Sequence, residues 1–392
     1  MTGCQAALRF ALHPRQFGGA ERATPGMGPH GPGHSHGKDA MSWQERALAE
    51  AQMSAHKSNS TTIPPITAAG ERGFHHVPVL LDAVLAAVPT GARLLVDATL
   101  GGGGHAEALL QNFPEAELFG CDRDPRAVEA AQERLAPFGP RAMLRQTPFA
   151  ALGSHLLAQS VDFLLADLGV SSHQIDTPER GFQFSGDGPL RMTMDGSTGA
   201  GDAAHLLAEV DEPALTALLR DYGEERYARQ IARAILAARA AGPITRTGQL
   251  ANIISGAVPG KYRRGPIHPA TRTFQALRIA VNDELGQLDA LLDQALDLLR
   301  PGGRVAVISF HSLEDRRVKQ CFARWENPCT CPAHMPACVC GRTPLGRRLG
   351  RKAQVASEAE VGANPRSRSA RLRVFEKAGG PAEDTSIQGA TA

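Results

Sequence analysis

A run of four glycines, residues 101–104, directly follows a short apolar segment. A strand, a glycine turn and a helix start allow the backbone to approach a nucleotide-like ligand, because no Cβ stands in the way. The spacing Gly101-x-Gly103-x-x-Ala106 fits the fingerprint of dinucleotide-binding proteins, and Asp122 supplies the acid that this fingerprint places about 20 residues later. A tight turn without any ligand is the plain structural alternative.

The same stretch is similar to the Asp-x-Gly-x-Gly-x-Gly loop of S-adenosylmethionine (SAM) methyltransferases. It begins at Asp97, and Thr99 stands where the loop has its first glycine. The glycines alone do not separate this interpretation from a dinucleotide site, so later segments of the chain must decide.

Polar residues end a series of apolar segments that are typical of buried parallel strands. Strands joined by crossover helices give a doubly wound α/β sheet, whose ligand crevice lies at the carboxyl ends of the strands. Asp97, Asp122, Asp167 and Ser309 occupy those ends. The predicted strands are Leu94–Asp97, Glu117–Cys121, Ala142–Arg145, Val161–Ala166 and Arg304–Ser309, and Ala370–Glu376 alternates as an edge or antiparallel strand does.

A stretch with helical spacing and no convincing strand separates the fourth of these strands from the fifth. We therefore expect an inserted α-helical domain at residues 183–282, which divides the α/β core into residues 73–182 and 283–377. Residues 1–72, rich in Gly, Pro, His and Ser, and residues 378–392 are predicted to be disordered. The first 20 residues faintly resemble a transit peptide. We favour instead a natural start at Met41 or Met53.

The net charge, the lengths of the apolar runs and the number of cysteines exclude some classes of protein. Because the net charge is only +2, any nucleic-acid footprint must be local. No apolar run approaches the ~18 residues needed to cross a bilayer and no signal-peptide core is visible, so we expect no membrane partner. Seven cysteines in 392 residues do not make a disulfide scaffold and favour a reducing compartment, the cytoplasm.

Several motifs are spread between His75 and Lys377. They include Asp167-Leu168-Gly169-Val170-Ser171-Ser172-x-Gln174, Glu179-Arg180-Gly181-Phe182, Tyr222-Gly223-Glu224-Glu225, His268-Pro269-Ala270-Thr271-Arg272, Ser309-Phe310-His311-Ser312-Leu313-Glu314 and Asn364-Pro365-Arg366. Together they closely resemble the small-subunit (16S) ribosomal RNA cytosine-N4 methyltransferases of the RsmH or MraW type. Gly102 departs from the arginine that some relatives carry there, which removes a side chain but keeps the backbone turn.

The resemblance implies a SAM-dependent methyltransferase with a Rossmann-like sheet and an inserted helical domain. It also implies that Asp122 holds the ribose hydroxyls, although capping of the helix that begins near Pro125 is a structural alternative. Asp167 is the expected catalytic residue, because the cytosine N4 amine gains positive charge as it takes up a methyl group and needs an acceptor beside it. The matched cofactor-binding positions are Gly103, Gly104, His105, Asp122, Phe149, Asp167 and Gln174.

Two local groups of basic residues are candidates for contact with RNA phosphates. A solvated charged face is the alternative for each, but a nearly neutral chain with two such groups favours RNA. Phe182 and Phe184 could stack a flipped base, although ordinary packing is their expected role. The first group is Arg263, Arg264, Arg272 and Arg278; the second is Arg316, Arg317, Lys319, Arg324, Arg342, Arg347, Arg348, Arg351 and Lys352.

Four cysteines, Cys329, Cys331, Cys338 and Cys340, flank a short loop that contains His334. Four thiols so close together could bind zinc, but the Cys-x-Cys spacing is not the usual Cys-x2-Cys. We expect no metal here, only free thiols on an irregular surface loop.

These observations predict a SAM-dependent enzyme that methylates the N4 amino group of a cytidine in 16S ribosomal RNA, either as naked RNA or in a ribosomal particle. An NAD-dependent oxidoreductase on the same fold and a non-catalytic rRNA-binding assembly factor are the alternatives. The exact nucleotide and the oligomeric state, a homodimer included, stay open.

Overall fold

The computed structural model describes residues 78–332, 335 and 337–379. The expectations for residues 1–72, and for nearly all of residues 378–392, lie outside the described residues.

In the part of the chain that the structure describes, eight strands form one sheet. They are β1 (Leu94–Asp97), β2 (Glu117–Asp122), β3 (Ala142–Gln146), β4 (Val161–Asp167), β5 (Leu299–Ser309), β6 (Gly346–Arg348), β7 (Gln354–Val355) and β8 (Arg371–Lys377). Their order is β3-β2-β1-β4-β5-β8-β6, and β7 pairs with β8. The strands β1 to β5 are parallel, whereas β8 runs antiparallel to β5. The order reverses between β1 and β4, which is where a doubly wound sheet opens its crevice.

Helices cover both faces of this sheet. Those of its first half are α1 (Leu81–Ala87), α2 (Gly104–Asn112), α3 (Pro125–Leu135) and α4 (Ser172–Asp176). As the sequence predicted, α3 has proline at its first position, and the Asp124 side chain caps it by accepting from the Arg126 amide at 3.2 Å. The Ser171 hydroxyl and the Gln174 side chain form a capping box at α4.

A continuous group of helices follows between β4 and β5. These are α5 (Ala203–Glu209), α6 (Glu212–Gly223), α7 (Ala228–Ala241), α8 (Thr247–Ala257), α9 (Gly260–Arg263) and α10 (Ala270–Asn282). They share a buried apolar cluster of their own, in which Leu219, Ile231, Ile254 and Leu277 are fully buried. The domain boundaries proposed from the sequence stay a prediction.

The remaining helices are α11 (Glu284–Leu298), α12 (Ser312–Glu326) and α13 (Glu358–Ala363). Alternate residues of β4 point to opposite faces of the sheet, so Phe163 and Leu165 pack with α1 and α2, while Leu164 and Ala166 pack with α11 and α12. The doubly wound α/β sheet predicted from the sequence is therefore confirmed. Among the described residues, no helix is both long enough and apolar enough to span a membrane.

Two helix boundaries lie at residues in the left-handed region. Glu224 has φ 46° and ends α6, and the next helix begins at Ala228. Asp283 has φ 48° and separates α10 from α11. Such backbone conformations at non-glycine residues are uncommon, and helical periodicity does not reveal them.

Candidate active site

A cavity of about 360 Å³ opens at the carboxyl ends of β1, β2 and β4. That size is typical of a site for a small organic ligand. Six of the seven residues predicted to bind a cofactor line it, namely Gly104, His105, Asp122, Phe149, Asp167 and Gln174. Gly103 does not belong to the lining.

The glycine turn after β1 needs glycine at two positions. Gly101 has φ 49° and Gly103 has φ 77°, conformations that residues with a Cβ rarely adopt. A Cβ at Gly103 would lie 3.3 Å from the Ala131 Cβ of α3. Gly103 therefore allows the turn to pack against α3, while Gly101, Gly102 and Gly104 border the cavity.

Asp122, at the end of β2, holds this turn in place. Its Oδ2 accepts a hydrogen bond from the Gly101 amide at 2.9 Å, and its Oδ1 accepts from the Asp124 amide at 2.9 Å. Burial raises the pKa of Asp122, although both backbone hydrogen bonds oppose the rise. The cap of α3 is Asp124 and not Asp122, so the structural alternative considered for Asp122 is not observed.

Asp167 ends β4 on the opposite side of the turn. Its amide donates to the Thr99 hydroxyl at 2.6 Å, and its Oδ2 lies 3.7 Å from the His105 Nδ1. Its Oδ1 is buried and has no hydrogen-bond partner within the described part of the chain. Burial, together with the charges of Asp97 and Glu314, raises the pKa of Asp167 well above its ordinary value. Asp167 therefore places at the cavity wall a carboxyl group of raised pKa, one oxygen of which has no partner among the described residues.

Asp97 is a second buried carboxyl group, and the sequence pattern did not select it as a site residue. Its side chain is 1% exposed and its Oδ1 accepts from the Thr99 amide at 3.2 Å. Burial raises its pKa to about 7, with a further contribution from the charge of Asp122 and against the hydrogen bond from Thr99. Its position at a strand end was the only available signal, because burial cannot be read from residue types.

Gln174 lies at the cavity wall but its side chain is engaged elsewhere. The Nε2 atom donates to the Asp124 Oδ2 at 3.0 Å and to the Met194 carbonyl at 3.1 Å. Arg180 donates to the same Asp124 oxygen at 2.7 Å and to the Met194 carbonyl at 2.8 Å. These buried contacts fasten residues 180–194 to the end of β2. A role of Gln174 in binding a cofactor stays a prediction.

A second network lies behind Asp167. Arg278 is partly buried at the cavity wall and pairs with Glu284 through two hydrogen bonds of 2.7 and 2.8 Å. The Glu314 carboxylate accepts from the Phe310 amide at 2.9 Å, and its pKa is lowered, because the contact with His311 and the charge of Arg278 outweigh burial. Arg278 was expected among the residues that contact RNA phosphates. Its charge is paired with Glu284, and that role stays a prediction.

Phe182, Phe184 and the predicted RNA-contacting basic residues other than Arg278 lie outside the cavity. Phe184 stacks on His268 at 4.4 Å and contacts Phe274 edge-on at 5.1 Å, so it packs within the helical region as expected. Arg263 and Arg264 are exposed at the end of α9. In the second basic group many charges are neutralised locally, through the ion pairs Arg316–Glu224, Arg317–Asp289, Arg347–Glu376 and Arg348–Glu326.

Known proteins resemble this chain over most of its length. The family model described as the MraW methylase family matches residues 73–378. The "Ribosomal RNA small subunit methyltransferase H" of Symbiobacterium thermophilum is 53% identical over 311 residues, which cover 78% of this chain and 97% of that protein. The protein of the same name from Geobacter sulfurreducens is 52% identical over 309 residues, covering 78% and 99%.

Among solved structures, an rRNA methylase from Streptococcus thermophilus aligns with 79% of this chain and 99% of its own, at 12% identity and a TM-score of 0.33. The family match extends over the whole α/β sheet and the helical region between β4 and β5. The chain belongs to the MraW methylase family.

Proposed function

We propose that this chain is a SAM-dependent methyltransferase acting on the N4 amino group of a cytidine in small-subunit (16S) ribosomal RNA. Membership of a methylase family and relatives about half identical in sequence, named for small-subunit ribosomal RNA, support the reaction and the substrate class. The observation that carries the chemistry is the Asp167 carboxyl group at the cavity wall beside the glycine turn, one oxygen of which has no partner among the described residues.

The cavity residues fit the proposed cofactor. The turn at Gly101, Gly102 and Gly104 leaves its backbone accessible, which suits close approach of a nucleoside. Asp122 would accept from the ribose hydroxyls, since a carboxylate oxygen can accept a further bond beside the one from a backbone amide. Phe149, half-buried at the start of a short 3₁₀ helix, offers a ring face to the adenine. When bound, SAM supplies an electrophilic methyl group on a sulfonium centre.

In this proposal Asp167 acts as hydrogen-bond acceptor and general base. The cytosine N4 amine is a poor nucleophile because its lone pair is delocalised into the ring. The ionised Asp167 carboxylate would accept a hydrogen bond from this amine, orient it, and stabilise the positive charge that develops on the nitrogen. Because the pKa of Asp167 is raised, its carboxylate is also a better base, and it would take the excess proton and pass it to water.

The helical region, residues 183–282 in our proposed division, would hold the RNA. Arg263 and Arg264 are exposed there and lie outside the cavity, so they are available to phosphates. The target base must leave its stack to reach Asp167, at a cost of a few kcal/mol that a loop or single-stranded site would reduce. An RNA substrate in the ribosome also implies a cytoplasmic location, which stays a prediction, as does the oligomeric state.

The family match favours methyl transfer over both alternatives. A dehydrogenase on the same fold has no use for an unpaired acceptor at the end of β4. A non-catalytic assembly factor would not need the free Asp167 oxygen beside an intact glycine turn.

Nucleoside mass mapping tests this proposal. Small-subunit RNA from cells lacking the protein is incubated with the pure chain and isotopically labelled SAM, digested, and analysed by mass spectrometry. We expect one labelled N4-methylcytidine per RNA. Label at carbon 5, on another base, or only on protein would overturn the assignment.

A further inference from the structure

The segment between α12 and β6, residues 327–345, contains no helix or strand among its described residues. Its two ends are held together, because the Leu345 amide donates to the Trp325 carbonyl at 2.8 Å and Arg348 pairs with Glu326. Loops longer than about 12–15 residues without secondary structure are uncommon in compact domains and usually serve a function. This loop therefore needs its own explanation.

Apolar packing does not hold the loop. Of its described residues, none belongs to a buried apolar cluster. Its larger apolar side chains face outward, since Val339 is 73% exposed and Leu345 45% exposed. Some other interaction must order this segment.

The four cysteine sulfurs of the loop converge on one point. The Sγ of Cys338 lies 3.4 Å from that of Cys329, 3.4 Å from that of Cys340 and 3.8 Å from that of Cys331. All four sulfurs lie within 4.8 Å of one another. None of these distances is near the ~2.05 Å of a disulfide.

The distances match the edges of a tetrahedron around one metal ion. A Zn²⁺ ion binds thiolate sulfur at about 2.3 Å, so a tetrahedral Cys4 site has sulfur–sulfur edges of about 3.8 Å. In a four-iron cluster each thiolate binds its own iron atom, which keeps the sulfurs farther apart. The Val339 amide donates to the Cys331 Sγ at 3.4 Å, the kind of backbone contact that orients a metal ligand.

We propose that Cys329, Cys331, Cys338 and Cys340 bind one structural Zn²⁺ ion that folds the loop between α12 and β6. This proposal replaces the sequence-based expectation of a metal-free loop with free thiols. The Cys-x-Cys spacing, which argued against zinc, is accommodated because six residues between the two pairs let the second pair fold back onto the first. All four ligands come from the loop, so the site is closed, as structural zinc sites are.

Metal content tests the site in the full chain. Zinc is measured in the purified protein, in Cys338→Ser, and in the control Cys321→Ala, which changes a buried cysteine of α12 outside the cluster. We expect the parent and Cys321→Ala to hold about one equivalent more zinc than Cys338→Ser. The difference is the readout, because histidines such as His34 and His36 in the first 40 residues could also take up zinc in every variant.

Cobalt substitution gives an answer even if Cys338→Ser fails to fold. The parent chain reconstituted with Co²⁺ should show the intense absorption of tetrahedral cobalt thiolate, which histidine or carboxylate ligands do not produce. Equal zinc in all three proteins, iron in place of zinc, or a parent chain without the cobalt–thiolate bands would each overturn the proposal. So would disulfides among these four cysteines in metal-free protein purified under reducing conditions.

Discussion

Asp167 is the residue on which the proposed chemistry depends. Its carboxyl group lies at the cavity wall with one oxygen unpaired among the described residues, and its amide is fixed by the Thr99 hydroxyl. We expect Asp167→Ala to lower the single-turnover methylation rate by about 10²- to 10⁴-fold at saturating SAM, as loss of an acid–base residue typically does. RNA binding and the unfolding midpoint should stay near those of the parent.

Asp221→Ala provides the control for Asp167, since this carboxylate is exposed on α6 and pairs with its neighbour Arg220. Its rate should equal that of the parent. In the parent the rate should also fall as the pH is lowered, because the acceptor must be ionised and the pKa of Asp167 is raised. A variant rate close to that of the parent would reduce Asp167 to a structural role.

The raised pKa of Asp97 makes the free energy of unfolding depend on pH. Its pKa is about 7 in the folded protein against an ordinary value of 3.8, so the folded state binds its proton more tightly than the unfolded state does. The free energy of unfolding must therefore fall as the pH rises from about 4 to about 7, by roughly 4 kcal/mol for this group. Asp97→Asn should remove that part of the slope, measured by urea unfolding at pH 5 and pH 7. Equal slopes in the two proteins would show that Asp97 is ionised throughout.

Much of the cavity could be predicted from sequence, because parallel strands bring their carboxyl ends to one edge. That rule alone placed Asp122 and Asp167 together. The exact roles of Gly103 and Arg278 could not be predicted from the sequence. A glycine motif does not say which glycine faces the ligand and which faces a helix, and a run of arginines does not say which one finds a buried carboxylate. Both answers depend on packing between distant segments.

At the scale of elements, the network of Asp124, Gln174 and Arg180 ties α3 and α4 to residues 180–194. Asp124 and Arg180 are 2% and 6% exposed, so the charge of Asp124 depends on its partner. Removing one member of a buried pair costs about 3–5 kcal/mol. We expect Arg180→Met to lower the free energy of unfolding in urea by this amount.

Arg246→Met is the matched control for this change, because Arg246 pairs with Asp187 where both side chains are about half exposed. It should cost less than about 1 kcal/mol. If the two variants lost equal free energies of unfolding, burial of the Arg180–Asp124 pair would not explain its contribution to stability.

The order of elements was largely predictable, and the exceptions have physical causes. Continuous apolar runs such as that of β4 predict buried parallel strands, and alternation predicted the antiparallel β8. The strands β6 and β7 span only three and two residues, too few for a periodic pattern. They pair with β8 because the chain on either side holds them there, which only the folded protein reveals.

At the scale of the whole molecule, the proposed division of labour separates RNA binding from SAM binding. Replacing Arg263 and Arg264 with alanine should weaken RNA binding and reduce its logarithmic salt slope by up to about 1.4, if both contact single-stranded phosphates. SAM affinity, measured by calorimetry, should not change because neither residue lines the cavity.

The matched control for that pair is Arg229→Ala with Arg233→Ala on α7, where both arginines pair with Glu212. Their loss should alter the salt slope less. A fall in SAM affinity with unchanged RNA binding, in the Arg263 and Arg264 variant, would contradict the proposed division.

Because β4 lies between β1 and β5 in the sheet, one of its edges stays unpaired while the chain is being synthesised. β4 is complete at Asp167, but its neighbour β5 begins only at Leu299, after residues 168–298 have been made. At typical elongation rates this delay lasts about 7 to 26 s. Throughout it, the nascent chain carries a largely apolar strand with one unpaired edge, which is a template for aggregation. Ribosome-bound chains halted after Leu298 should therefore crosslink to chaperones more strongly than chains halted after Lys377, and equal crosslinking would show that β4 is shielded by other means.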